Sequence, residues 1–205
     1  MVSGLAALIT VTLALLMVYG IRLSGKKLPV LILPLTTIGY AAPGAVLGIG
    51  ILVPLAYFDN WLADRIFDLT RYDPGLIFTG TSIAIILAYC VRFFSIAQQT
   101  VDGALGRVSP SLANAARSLG RNKLQVLWEI YRPLISASTA TALLLVFVDC
   151  VKELPATMLL RPFNFETLAT RVHVQASLED LPNAAPGAIL IVLIGLCAVF
   201  LLARV

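Results

Sequence analysis

The sequence predicts an all-α protein, a polytopic bundle of about five transmembrane helices that carries one polar helical hairpin. Three observations predict it. The 205 residues are 59% hydrophobic and 13% charged, with a mean hydropathy of +0.93, whereas soluble globular domains carry about 25% charged residues. The apolar residues gather into five stretches of membrane-crossing length. Between the third and fourth stretch lies a polar segment, 109–132, whose capping residues mark out two short helices.

The first span covers about 3–22 and ends at Arg22, Lys26 and Lys27. A secretory leader carries its positive charge ahead of the apolar run, so this span reads as a retained helix with its amino end outside. The second span, about 29–56, holds Pro34, Pro43 and Pro54 together with Gly39, Gly44, Gly48 and Gly50. So many breakers are tolerated in a bilayer only where neighbours or water satisfy the freed backbone groups. Gly44 and Gly48, four residues apart, let another helix approach closely. Ordinary close packing and a place beside a translocation path both fit this span, and Pro43 and Gly44 are the pathway candidates.

Residues 57–74 carry Asp59, Trp61, Asp64, Asp68 and Asp73, with Leu62, Ile66 and Leu69 at helical spacing. They read as a helix lying on the outer membrane surface, with Trp61 at the interface. The third span, about 75–97, is uncharged up to Arg92. At ~1.5 Å per residue Arg92 falls ~25 Å along it, near the inner edge of a ~30 Å core, where its side chain snorkels to headgroups.

In the hairpin, Ser109 caps a helix that opens on Pro110, a residue with no N–H to lose at that position. Gly120 ends that helix in the left-handed conformation. Asn122, with Gln125 three residues on, forms a capping box for the second helix, and Pro133 breaks it and begins the fourth span. Leu112, Ala115, Ala116 and Leu119 share a face of the first helix. The fourth span covers about 133–151 and the fifth about 184–203. Between them Asn164 reads as the N-cap of a short helix through Ala176.

Charge sets the orientation. With the hairpin in the cytoplasm, nine basic residues lie inside (Arg22, Lys26, Lys27, Arg107, Arg117, Arg121, Lys123, Arg132 and Arg204), against five outside, namely Arg65, Arg71, Lys152, Arg161 and Arg171. The bias is positive-inside and places the carboxy end in the cytoplasm. The basic residues form no patch interleaved with aromatics, which argues against nucleic acid despite the net charge of +4. Cys90, Cys150 and Cys197 are far apart in apolar surroundings and read as small core residues. His173 is the single histidine, and no metal site is predicted. No GxxxxGK[ST] phosphate loop is present, so the chain is not predicted to be an enzyme.

Asp149 and Glu153 are one helical turn apart and are predicted to share a face. An intramembrane acid is a functional candidate by default, and both are candidates for a translocation pathway. Pairing with Lys152 or Arg161, which would make the acids structural, fits equally.

Ala115, Ala116, Gly120, Ile130 and Pro133 fall in register with a known pattern, Glu-Ala-Ala, three residues, Gly, nine residues, Ile-x-Leu-Pro. The segment resembles the cytoplasmic EAA loop of permease subunits in binding-protein-dependent ABC importers. Asn114 stands where the pattern has Glu, and Arg132 where it has Leu. Lys152-Glu153-Leu154-Pro155-Ala156-Thr157, Arg161-Pro162-Phe163-Asn164-Phe165 and Gly39-Tyr40-Ala41-Ala42-Pro43-Gly44 resemble the ferric-iron branch of that family, in the carboxy-terminal half of a fused two-repeat permease. The resemblance implies a type I importer fold and the bacterial inner membrane. It implies partners: ATP-binding cassette subunits that hold ATP and Mg, a second permease half, and an extracytoplasmic substrate-binding protein. It also implies that Asn114 and the five residues in register couple the ATPase to the bundle, with no cofactor in this chain. Permeases for thiamine, polyamine or sulfate, and an ion-driven secondary transporter, are the alternative readings.

Overall fold

The computed structural model describes residues 1–24 and 33–204. The four residues that open the predicted second span, 29–32, lie outside the described residues, as do Lys26 and Lys27. Among the described residues the secondary structure is helical without strands. Five helices among the described residues are long and apolar enough to cross a membrane.

Helix α1 (Val2–Ser24) buries Ala6, Ala7, Val11, Ala14 and Val18, a stripe at three- and four-residue spacing whose small side chains permit close approach. It packs on α4 (Ser82–Gly106), which is the central helix. Ala84, Ala88, Tyr89, Phe93 and Ala97 of α4 meet α1 on one side and Ala142, Val146 and Cys150 on another, in one continuous core. At the opposite end Val18, Val101, Ala104, Leu105 and Ile135 form a second cluster.

The second span begins and ends elsewhere than predicted. A 3-10 turn (Leu33–Thr37) and the one-turn helix α2 (Ile38–Ala41) precede a break in which Ala42 and Pro43 are extended. Pro43 pushes the residue before it out of helical geometry. Helix α3 then runs unbroken over Gly44–Thr70 and ends where Arg71 adopts the left-handed conformation, φ 57°. Residues 57–70 are thus no separate surface helix. At ~1.5 Å per residue α3 is ~40 Å long, more than a ~30 Å core needs, and its acidic last turns extend beyond it.

The third span starts at Ser82 and not near Gly75. Thr81 caps it by accepting from the Ile83 amide, and Gly75 and Gly80 before it have φ of 64° and 73°. Arg92 therefore stands only ten residues into the helix, ~15 Å along it and near mid-membrane, too deep for the snorkelling predicted for it.

The hairpin helices are α5 (Pro110–Ser118) and α6 (Lys123–Val126). The break predicted at Pro133 does not occur. A π-helical turn (Leu127–Tyr131) carries α6 directly into α7 (Arg132–Lys152). Pro133 has no N–H, and its ring crowds the carbonyl four residues back. The wide turn, in which the Arg132 amide donates to Leu127 O, absorbs that crowding without ending the rod.

Helix α8 (Pro155–Leu160) packs on α3, and α9 (Leu168–Ser177) packs on α10 (Leu181–Leu202). Thr167, in a capping box with Thr170, starts α9. Asn164, the predicted cap, instead occupies a left-handed turn closed by the Phe165 amide on Pro162 O.

Candidate functional site

Two constellations emerge, one at the hairpin and one inside the bundle. In the hairpin, Ser109 Oγ accepts from the Ser111 amide, and α5 closes in a Schellman arrangement: Arg121 N–H donates to Ala116 O (3.0 Å) and Gly120 N–H to Arg117 O (2.9 Å). Gly120 has φ 85°. Asn122 and Gln125 exchange bonds of 2.8 and 2.9 Å, so two of the orphan amides at that end are satisfied. Ala113, Ala116 and Val126 are buried between the two helices, with Ile130 and Tyr131 against them. Tyr19 of α1 donates to Lys123 O at 2.5 Å and meets the Tyr131 ring edge-on, which fixes the hairpin to the end of the bundle.

The six hairpin candidates divide by position. Asn114 and Ala115 face out, Ala116 is buried, Ile130 is half-buried in the hairpin core, Gly120 is the corner, and Pro133 lies exposed in the first turn of α7. The outward surface of α5 is made by Leu112, Ala115 and Leu119, with Leu119 84% exposed. Ala116, predicted on that face, is turned inward by the hairpin fold.

Inside the bundle Asp149 and Glu153 do not share a face. Pro155 lacks an N–H and would crowd the carbonyl of Val151 in a continuing helix; α7 ends at Lys152, and Glu153 is extended. Asp149 pairs with Lys152 at 2.6 Å, one of the two pairings considered for it. Arg161 lies 3.8 Å from Glu166 and from neither candidate acid. Glu153 is buried and its Oε2 lies 3.1 Å from Arg92 Nε, while Arg92 Nη1 donates to Ala42 O at 2.9 Å. Gly44 lies against the same group: a Cβ there would be 2.7 Å from Glu153 Oε1. The structure thus brings Glu153 and Gly44 together beside the exposed Pro43, leaves Asp149 apart, and adds Arg92.

Sequence reasoning also missed Asp59. Its side chain is fully buried and accepts from the amides of Ile77 (3.0 Å), Phe78 (2.9 Å) and Thr79 (2.6 Å), tying the loop before α4 to α3. Among four aspartates in a polar segment nothing in spacing singles it out. Among the described residues no three His, Cys, Asp or Glu side chains gather in a way that could hold a metal ion.

Apolar helices of membrane-crossing length with an outlying capped hairpin define a polytopic membrane protein, and sequence comparison gives the family. The model for the binding-protein-dependent transport system inner membrane component matches residues 7–205, and the chain belongs to that family. It is 31% identical over 203 residues to the Fe(3+)-transport system permease protein FbpB 2 of Haemophilus influenzae, covering 99% of this chain and 37% of that protein. It is 29% identical over 157 residues to the ferric transport system permease protein FbpB of Actinobacillus pleuropneumoniae, covering 75% and 21%. PhnV of Salmonella typhimurium, whose name assigns it to 2-aminoethylphosphonate transport, is 28% identical over 154 residues, covering 75% and 51%. The chain spans little more than a third of the length of the first of these relatives and about half of the last.

Proposed function

We propose that this chain forms a permease half of an ATP-driven, binding-protein-dependent importer for ferric iron in a bacterial inner membrane. Residues 7–205 match the family, and the iron assignment is carried by the similarity to a ferric permease over 99% of the chain. The α5–α6 hairpin is the coupling element. Its outward Leu112, Ala115 and Leu119 fit a groove on an ATPase subunit, the helix-in-groove mode of recognition, and Asn114 offers a neutral hydrogen bond where the family pattern has a carboxylate. ATP and Mg belong to that subunit, a second permease half completes the path, and an extracytoplasmic binding protein delivers the cargo. The amino end lies outside, with the hairpin and carboxy end in the cytoplasm.

Proteoliposomes holding the assembled transporter and loaded binding protein test the reading. ATP-dependent uptake of ferric iron is expected, and uptake of 2-aminoethylphosphonate in its place would reassign the substrate to the PhnV-like branch.

A further inference from the structure

Two places where the backbone leaves helical geometry meet beside α4. One is Ala42 and Pro43, between α2 and α3; the other is Glu153, between α7 and α8. In a membrane such breaks persist only where protein or water satisfies the freed groups. Here one guanidinium reaches both: Arg92 donates to Ala42 O at the first break and lies in an ion pair with Glu153 at the second, where the other carboxylate oxygen accepts from the freed Ala156 amide at 3.2 Å. A second rung lies one turn away on the same faces. Tyr89 and Thr157 share a 2.6 Å hydrogen bond, and Thr157 donates to Glu153 O at 2.9 Å. Gly44 and Gly48 let α8 lie directly on α3: Cβ atoms there would stand 3.2 Å from Pro155 Cβ and 3.5 Å from Leu159 Cβ.

A buried ion pair is a costly way to fasten two helices, because apolar side chains of similar volume can hold them without the desolvation cost. What charge adds is sensitivity to water. Coulomb attraction scales inversely with the dielectric constant and falls about fourfold between the effective dielectric of a protein interior and that of bulk water. A seam held by Arg92 and Glu153 is therefore firm while dry and released once water enters it, which gives it two discrete states.

We propose that Arg92 and Glu153 form an intramembrane latch that holds α3 against α8 in the closed state and opens when a water-filled path forms between them. Arg92 and Glu153 are positioning residues in this role. The proposal rests on the transporter reading, but its first test needs neither substrate nor ATPase. With Cys90, Cys150 and Cys197 replaced by Ala, the pair Gly48→Cys and Leu159→Cys has the Cβ separation of a disulfide. In membranes containing the full permease, oxidant-driven cross-linking is expected to be several-fold slower when Arg92→Gln and Glu153→Gln are introduced together, a change that leaves no lone buried charge. Equal rates would overturn the latch.

The second test uses the assembled transporter in proteoliposomes. The oxidised Cys pair is expected to lose at least tenfold in ATP-dependent uptake and to recover on reduction. Undiminished uptake by the cross-linked protein shows that α3 and α8 need not part and overturns the proposal. Each preparation is compared with itself after reduction, so an error in the iron assignment changes which cargo is followed and leaves the test of the latch intact.

Discussion

At the scale of single residues, the glycine at 44 is required by contact. A Cβ would lie 2.7 Å from Glu153 Oε1 and 3.2 Å from Pro155 Cβ, so Gly44→Ala is expected to cost ~1–3 kcal/mol, as overpacking does, and to lower the thermal midpoint of the detergent-solubilised protein. Gly50, in the same run, has nothing within 4 Å of a Cβ; Gly50→Ala is the control and should leave the midpoint unchanged or raised. Asp59 makes a second prediction. Asp59→Ala leaves the amides of Ile77, Phe78 and Thr79 without their acceptor, at ~1–3 kcal/mol for each that water cannot reach. Limited proteolysis should then cut within 71–81 first, and an unchanged pattern would count against the tie. Glycine-rich character was legible in the sequence for 44 and 50 alike. Which of the two meets a neighbour was not, because that depends on a carboxylate more than a hundred residues away.

At the scale of elements, the hairpin was the most legible part of the chain. Ser109, Pro110, Gly120, Asn122 and Gln125 act within four or five residues of themselves, so their caps and corner follow from local chemistry. Gly120 has φ 85° with nothing within 4 Å of a Cβ, so a substitution there meets backbone strain of ~1–3 kcal/mol and no clash. Gly120→Asp is expected to leave the permease folded and ATP hydrolysis running while uptake falls; normal uptake in proteoliposomes would sink the coupling role of the corner. Element boundaries that depend on partners were less legible. The 75–81 segment is apolar enough for a helix, but its amides are taken by Asp59 of α3. Pro133 reads as a break, yet a π turn absorbs it. Glu153 reads as one face with Asp149, until Pro155 ends α7 beneath it.

At the scale of the whole molecule, orientation follows from where the basic residues fall. In cells expressing the permease without its partners and with its own cysteines replaced, Ser3→Cys should react with a membrane-impermeant maleimide from outside, and Leu119→Cys only after the inner face is exposed. The opposite pattern would invert the topology. By itself the sequence determined the all-α membrane class, five apolar spans, the capped hairpin and the family, because hydropathy, capping and motif register are properties of short stretches of chain. Only the tertiary structure decided that Arg92 belongs to Glu153, that Asp59 holds the loop before α4, and that Gly44 faces α8. An intramembrane charge must find its partner within a few ångströms in space, and the distance along the chain, 61 residues between Arg92 and Glu153, places no constraint on which partner it finds.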